Sequence, residues 1–358
     1  MAKVLMKGNE AIGEAALRAG CRFFFGYPIT PQSEVPEYLA KRMPEVGGTF
    51  VQAESEVAAS NMIYGAAGVG VRVLTTSSSP GISLMSEAIS YIACCELPVV
   101  IVNIVRSGPG LGGILPAQSD YFQATKGGGH GDYRLLVLAP ATVQEAVDLV
   151  IESFDLADHY RSPVMVIGDG MIGQMMEPVD FGDHPLPGLD HEEPEKPWSL
   201  QGTASRNYKS RNLVNSLYLE TVECNAINHK LKAKYYLMEA EQQRCETFYT
   251  DEDVDVLVVS YGTMSRICRT TVHKLREEGY KLSIARPISL FPFPTEAIRA
   301  AGDRAKKVIS IEMSMGQMVE DVKMAMEGTK PVHFFGMAGG LVPSPDDVRK
   351  AILDLVED

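Results

Sequence analysis

Residues 98–105 read PVVIVNIV, with valine or isoleucine at six of eight positions and no alternation of polar with apolar side chains. Such a run has no face to offer to water. It predicts a strand covered on both sides, which calls for a parallel sheet with helices packed against each face. The surrounding sequence agrees. Strand-like segments at 22–25, 48–52, 71–75, 134–138 and 163–168 alternate with helix-like segments at 55–67, 82–94 and 142–158. Alternation of this kind predicts an α/β fold built on a doubly wound parallel sheet. Ahead of it, Asn9 is a candidate cap for a helix whose Ile12, Ala15, Ala16 and Ala19 follow helical spacing and which Gly20 ends.

A chain of 358 residues exceeds one ordinary core, so two domains are expected. Between them, residues 177–205 carry five prolines, several acids and no apolar period, the composition of a linker. The polar stretch 208–248 places Leu217, Cys224, Leu231, Tyr235 and Met238 at helical spacing. If unbroken it forms a helix of roughly 50–60 Å that crosses the surface or reaches a neighbouring subunit. A second α/β unit opens at DVDVLVVSYGT (253–263), with further strands at 281–287 and 306–312 and a final helix from about 345. The expected division is therefore 1–176, 177–250 and 251–358. The two α/β units share no motif, which argues against a duplication.

The formal charge of −13 argues against a nucleic-acid groove and against an anionic membrane surface. No apolar stretch approaches the roughly 20 residues of a membrane span. The N-terminus MAKVLMKGNEA lacks a signal-peptide pattern, so a cytoplasmic location is expected. Six cysteines lie far apart with no CxxC pair, and free thiols are the expectation. Nothing in that spacing provides an iron–sulfur cluster or a structural zinc site.

Several motifs compete for the chemistry. Gly108, Gly110 and Gly113 fit GxGxxG after a strand, with Asp132 at a plausible distance for a ribose contact. Pro109 and Pro116, however, sit where a dinucleotide-binding helix should begin and run. Gly168-Asp169-Gly170 matches the opening of a magnesium and diphosphate motif, but the Asn needed downstream is missing from Pro194-Glu195-Lys196-Pro197. Asp169 reads better as the cap of a strand-to-loop turn. His130 and Asp132 lack a third metal ligand at usable spacing. Ser77, Ser78 and Ser79 lack a nucleophile-elbow setting and read as a strand end and helix cap. Glu54 and Glu56, at a strand exit ahead of a helix of Ala, Ser and Gly, are the stronger candidates. Two readings stay open for them: carboxylates favouring a helix dipole, or a site facing a flat ligand.

GNEA (8–11), GYPITP (26–31), the Glu54-Ser55-Glu56 triplet with Gly65-Ala66 nine residues after Glu56, NIVRSGPGLGG and RPISLFPFP (286–294) resemble the alpha subunit of 2-oxoacid:ferredoxin oxidoreductases over nearly the whole chain. PGLGG, PAQSDYFQATKGGGHGDYRL and EMSMGQM most resemble the branched-chain type, which acts on 2-oxoisovalerate (3-methyl-2-oxobutanoate). The 2-oxoglutarate type is close behind, and it usually carries Pro-Ser-Thr-Gly after the Arg.

The resemblance implies that the first domain is similar to the pyrimidine-binding domain of thiamin enzymes and the last to the C-terminal domain of transketolases. It implies a thiamin diphosphate site shared with a beta subunit, which would hold Mg2+ and the diphosphate. Iron–sulfur clusters would lie on a ferredoxin-like subunit, with 2-oxoacid, coenzyme A and ferredoxin as reactants. Glu56 would face N1′ of the aminopyrimidine and favour the tautomer that takes the proton from the thiazolium. Tyr27, Pro28 and Ile29 would border the cofactor ring, while Thr30 and Arg106 would hold the 2-oxoacid. For Thr30 the competing reading is a helix N-cap. Pro36 argues against it, because it is tolerated only if the helix starts at Ser33. For Arg106 the competing reading is a surface ion pair. Three rivals remain for the whole chain: the same chemistry on 2-oxoglutarate or pyruvate, a non-catalytic partner subunit, and a nicotinamide-binding dehydrogenase.

Overall fold

The computed structural model describes residues 3–182, 184–188, 195–200, 202 and 211–357. The first unit runs β1 (Val4–Lys7), α1 (Gly8–Arg18), β2 (Phe23–Gly26), α2 (Glu34–Arg42), β3 (Thr49–Gln52), α3 (Glu56–Gly68), β4 (Val73–Ser77), α4 (Pro80–Cys94), β5 (Val99–Val105), α5 (Tyr121–Thr125), β6 (Leu136–Leu138), α6 (Val143–Tyr160), β7 (Pro163–Asp169), α7 (Gly170–Gln174) and β8 (Met176–Val179). After α8 (Thr221–Glu241), the second unit runs β9 (Cys245–Phe248), β10 (Val254–Val259), α9 (Gly262–Glu277), β11 (Leu282–Pro287), β12 (Ser289–Phe291), α10 (Thr295–Asp303), β13 (Ala305–Glu312), α11 (Met318–Met326), β14 (Val332–Gly336) and α12 (Pro345–Glu357).

The main sheet has strand order β12-β6-β7-β5-β4-β2-β3 and is parallel except for its edge strand β12. PVVIVNIV supplies its central strand β5. Val99, Ile101 and Val105 face one hydrophobic core while Val100, Val102 and Ile104 face another, so both sides are covered. The second sheet, β14-β13-β10-β11-β9, is parallel except for β9. The core containing Val99 continues through Leu257, Val259 and Val308, which joins the two units through apolar packing.

Three boundaries differ from the sequence expectation. β8 pairs antiparallel with β1, so the first unit extends to Val179, past residue 176. Cys245–Phe248 is a strand on β11, so the second unit opens before 251. Of the helix expected over 208–248, residues 208–210 lie outside the described residues, and among those described the helix is α8 alone, 21 residues and about 31 Å long. Asparagines end the helical pattern on its N-terminal side. Asn215 Oδ1 accepts from Leu217 N (3.0 Å), a local turn in place of a helix, and Asn212 Nδ2 donates to Ser199 O (2.9 Å), tying this segment to residues earlier in the chain. Of the expected apolar positions, Leu231, Tyr235 and Met238 are buried, whereas Leu217 and Cys224 are exposed. Lys230 and Lys234 both pair with Glu96, just beyond α4, and this fixes the helix against the end of the sheet opposite the strand carboxyl termini.

No described helix is long and apolar enough to cross a membrane.

Candidate functional site

The carboxyl ends of β2, β4, β5 and β7 open on one edge of the main sheet, where ligands bind in open α/β folds. The loop after β2, Tyr27 to Ser33, is pinned from three sides. Asn9 does not cap α1, which begins at Gly8. Instead Asn9, fully buried, donates from Nδ2 to Pro31 O (2.8 Å) and to Glu34 (2.7 Å). Gln174 Nε2 also donates to Pro31 O (3.3 Å), and Thr76 Oγ1 donates to Gln32 Oε1 (2.5 Å). α2 begins after Ser33, so Pro36 falls in its first turn and Thr30 is left outside the helix. Tyr27, Pro28 and Thr30 are exposed, and the Thr30 hydroxyl bonds to no described residue.

Glu56 and Glu54 part company in the structure. Ser55 caps α3, accepting from Ala58 N (3.1 Å), which places Glu56 in the first turn facing inward and leaves Glu54 exposed. Glu56 is 6% exposed and makes no hydrogen bond or ion pair with any described residue. Its carboxyl lies against Gly81: a Cβ there would approach Glu56 Oε1 to 2.8 Å and Ser77 Oγ to 2.0 Å. Glycine at the head of α4 thus makes the space that the carboxyl occupies. A buried carboxylate with no partner in its own chain is costly unless a ligand group meets it. A ring nitrogen able to share a proton fits that requirement.

Arg106 closes β5 and is 7% exposed. Its Nη1 donates to Thr30 O (3.1 Å) and its Nη2 to Leu111 O (3.0 Å), while Nε is buried without a partner. A guanidinium has five N–H donors. Two are used here, three remain, and no carboxylate of the described residues forms a salt bridge with it. It is therefore not a surface ion pair.

Behind Arg106 stand residues that sequence reasoning missed. Ser79, read as a helix cap, makes no capping bond. Its Oγ accepts from Arg106 N (3.0 Å) and donates to Arg106 O (3.2 Å). Its φ of 26° is a strained geometry costing roughly 1–3 kcal/mol. Asn103 Oδ1 accepts from Ser79 N (3.1 Å), and Asn103 Nδ2 donates to Asp120 (3.0 Å). Burial pushes the Asp120 carboxyl up, against the hydrogen bond from Asn103 and the charge of Arg106. The available signal was Asn103 itself, one polar side chain inside an otherwise apolar buried strand.

The competing motifs resolve differently. Asp169 Oδ1 accepts from Met171 N (2.8 Å) and Ile172 N (3.3 Å), so it is a cap, but of the short helix α7 and not of the expected strand-to-loop turn, and burial raises its pKa. The glycines at 108–113 lie in a closed loop bridged from Arg106 to Pro116, and the next described helix begins only at Tyr121, so the helix of a dinucleotide fingerprint is missing. Among the described residues, no group of three or more His, Cys, Asp and Glu is placed to hold a metal ion.

The sequence profile described as pyruvate flavodoxin/ferredoxin oxidoreductase, thiamine diphosphate-binding, matches residues 14–217, and that of pyruvate:ferredoxin oxidoreductase core domain II matches 254–348. The chain belongs to the 2-oxoacid:ferredoxin oxidoreductase family. Its pairwise relatives agree. It is 46% identical to the ketoisovalerate oxidoreductase subunit VorB of Methanothermobacter thermautotrophicus, covering 100% of this chain and 99% of that one. It is 34% identical to the 2-oxoglutarate synthase subunit KorA of the same organism, covering 98% of each. Among solved structures, the 2-oxoglutarate:ferredoxin oxidoreductase of Magnetococcus marinus, with 2-oxoglutarate, coenzyme A and succinyl-CoA bound, superimposes with a TM-score of 0.86 at 26% identity. That match covers 99% of this chain, which spans only 65% of the length of the solved one. Members of this family are oxidoreductases, and the first domain of this chain is its thiamin diphosphate-binding domain.

Proposed function

We propose that this chain carries the pyrimidine half of a divided thiamin diphosphate site and, with partner subunits in the cytoplasm, oxidatively decarboxylates a branched-chain 2-oxoacid, 3-methyl-2-oxobutanoate, to acyl-CoA, carbon dioxide and reduced ferredoxin. The observation that carries this reading is the pairing, on one sheet edge, of a buried partnerless carboxylate, Glu56, with a buried guanidinium, Arg106, that keeps three donors free. The higher identity to a ketoisovalerate subunit than to a 2-oxoglutarate subunit supports the substrate class.

When bound, thiamin diphosphate supplies a nucleophilic carbon and an electron sink for decarboxylation. Glu56 holds a shared proton at the pyrimidine N1′, the task for which an unpartnered buried carboxyl is suited. Tyr27, Pro28 and Ile29 border the ring from a loop that Asn9 and Gln32 keep fixed. Arg106 takes the substrate carboxylate on its remaining N–H groups, and the free Thr30 hydroxyl reaches the 2-oxo oxygen or the carboxylate. Mg2+ and the diphosphate belong on a beta subunit and iron–sulfur clusters on a ferredoxin-like subunit, in a hetero-oligomer with a dimeric alpha-beta core.

The test is turnover by the co-expressed complex on a panel of 2-oxoacids with coenzyme A and a viologen acceptor. Preference for 3-methyl-2-oxobutanoate is expected. Preference for 2-oxoglutarate or pyruvate would reassign the substrate, and a complex that assembles but turns over none of them would make this chain a non-catalytic partner.

A further inference from the structure

The loop that follows Arg106 is rigid at its base and apolar at its tip. Ser107 N donates to Leu115 O (3.0 Å), Gly113 N donates to Ser107 O (3.0 Å), and Arg106 bridges to Pro116, so residues 107–115 close on themselves. At Gly112, φ is 61° and a Cβ would lie 1.8 Å from Ser107 O, so the closure depends on glycine there. On this frame Leu111 is 83% exposed, with Ile114 and Leu115 exposed beside it. The folded chain buries almost nothing of Leu111, so packing within the chain does not account for a leucine there.

The hydrogen bonds connect this tip to the site. The guanidinium that holds Thr30 O also holds Leu111 O, at 3.1 and 3.0 Å. A carboxylate taken by the remaining N–H groups of Arg106 is therefore bound by the same group that grips the Leu111 peptide. The loop is also braced from the second unit, where Gly340 packs so closely on Leu115 that a Cβ would come within 2.5 Å of it. Among the described residues, the only cationic side chain bonded to the loop is Arg106.

Resting on the functional reading above, we propose that Leu111 is the specificity-determining residue this chain contributes, forming an apolar wall for the alkyl group of the 2-oxoacid. A branched alkyl chain has no polar group beyond its oxoacid head and gains by leaving water against this side chain. A second carboxylate, as in 2-oxoglutarate, would lose hydration there without gaining a counter-charge from the loop. The closed loop matters because a wall discriminates only if it cannot retreat.

The experiment compares Leu111→Ala and Leu111→Met in the co-expressed complex, measuring kcat/KM for 3-methyl-2-oxobutanoate and for pyruvate at saturating coenzyme A. Leu111→Ala should lower the ratio of branched acid to pyruvate about tenfold or more, mainly through KM, the scale on which apolar pockets discriminate. Leu111→Met, of similar volume, should keep the ratio within about threefold. Equal loss on both acids, or failure of Leu111→Ala to co-purify with its partner subunits, overturns the proposal and makes the loop a general binding or docking element. A parent complex inactive on every 2-oxoacid would instead overturn the functional reading beneath it.

Discussion

Gln118 and Met313 grip each other by two hydrogen bonds across the junction of the two units: Gln118 N donates to Met313 O (2.8 Å) and Met313 N donates to Gln118 Oε1 (2.9 Å). The remaining side-chain donor, Nε2, reaches Tyr261 O (2.8 Å). All three contacts are buried just behind the Arg106 loop. Gln118→Ala should therefore leave the Met313 N–H unsatisfied, while Tyr261 O keeps its bond from Ser265 N (3.3 Å), and cost about 1–3 kcal/mol. Thermal unfolding should begin several degrees lower, and a midpoint within about 1 °C of the parent would show that the junction does not depend on this side chain.

What the sequence made legible follows from how local each signal is. PVVIVNIV announces a doubly covered strand in eight residues, and β5 is that strand with its side chains divided between two cores. β12 was hidden, because three residues between Ile288 and Pro292 carry no pattern and their partner, β6, lies about 150 residues earlier in the chain. Spacing along α8 picked out the three residues that are buried but overran the helix start, where asparagine side chains compete for the backbone. Glu54 and Glu56 are equivalent in a pattern. They differ in three dimensions because Ser55 sets the helix start and Gly81 opens room for only one of them. Asn9 was read as a cap because Asn often is one, whereas its partner at Pro31 is a tertiary contact with no local trace.

Glu56→Gln preserves shape and removes the carboxyl. Assembly with partner subunits should be unchanged, since Glu56 bonds to no described residue of its own chain, while thiamin-dependent decarboxylation should fall about 10²–10⁴-fold, the usual scale for a proton-transfer group. Near-parental turnover by the purified complex would remove Glu56 from the mechanism. Glu54→Gln is the control, and its exposed position predicts little change.

If Arg106 binds the oxoacid as proposed, Arg106→Ala should raise KM for the oxoacid far more than for coenzyme A, because its three remaining donors would serve the carboxylate and not the thiol substrate. A charge-assisted hydrogen bond contributes about 1.5–3 kcal/mol, so a rise of ten- to a hundredfold is expected. Arg106→Lys should recover little of it. An ammonium is a compact charge without the fork that spans Thr30 O, Leu111 O and a ligand together. Equal increases for oxoacid and coenzyme A, measured in steady state, would argue that Arg106 only holds the loops.

Acid should loosen α8 before it unfolds the sheet. Burial alone would push the Glu96 pKa up, but the ammonium groups of Lys230 and Lys234 outweigh it and hold the carboxyl below its ordinary 4.5. Lys234 also donates to Arg161 O (2.8 Å), and burial makes it a weaker base than usual, so Glu96 governs the acid limb. Because folding lowers this pKa, the carboxylate contributes stability that is complete above 4.5 and is lost as pH falls through the lower folded value. Amide protection over residues 221–241 should therefore drop in that window ahead of β5, whose residues are buried on both faces. Glu96→Gln should weaken α8 docking at neutral pH and flatten the acid dependence. Protection factors for α8 that follow those of β5 down to about pH 3 in the parent protein would show that the two lysine pairs do not hold the helix.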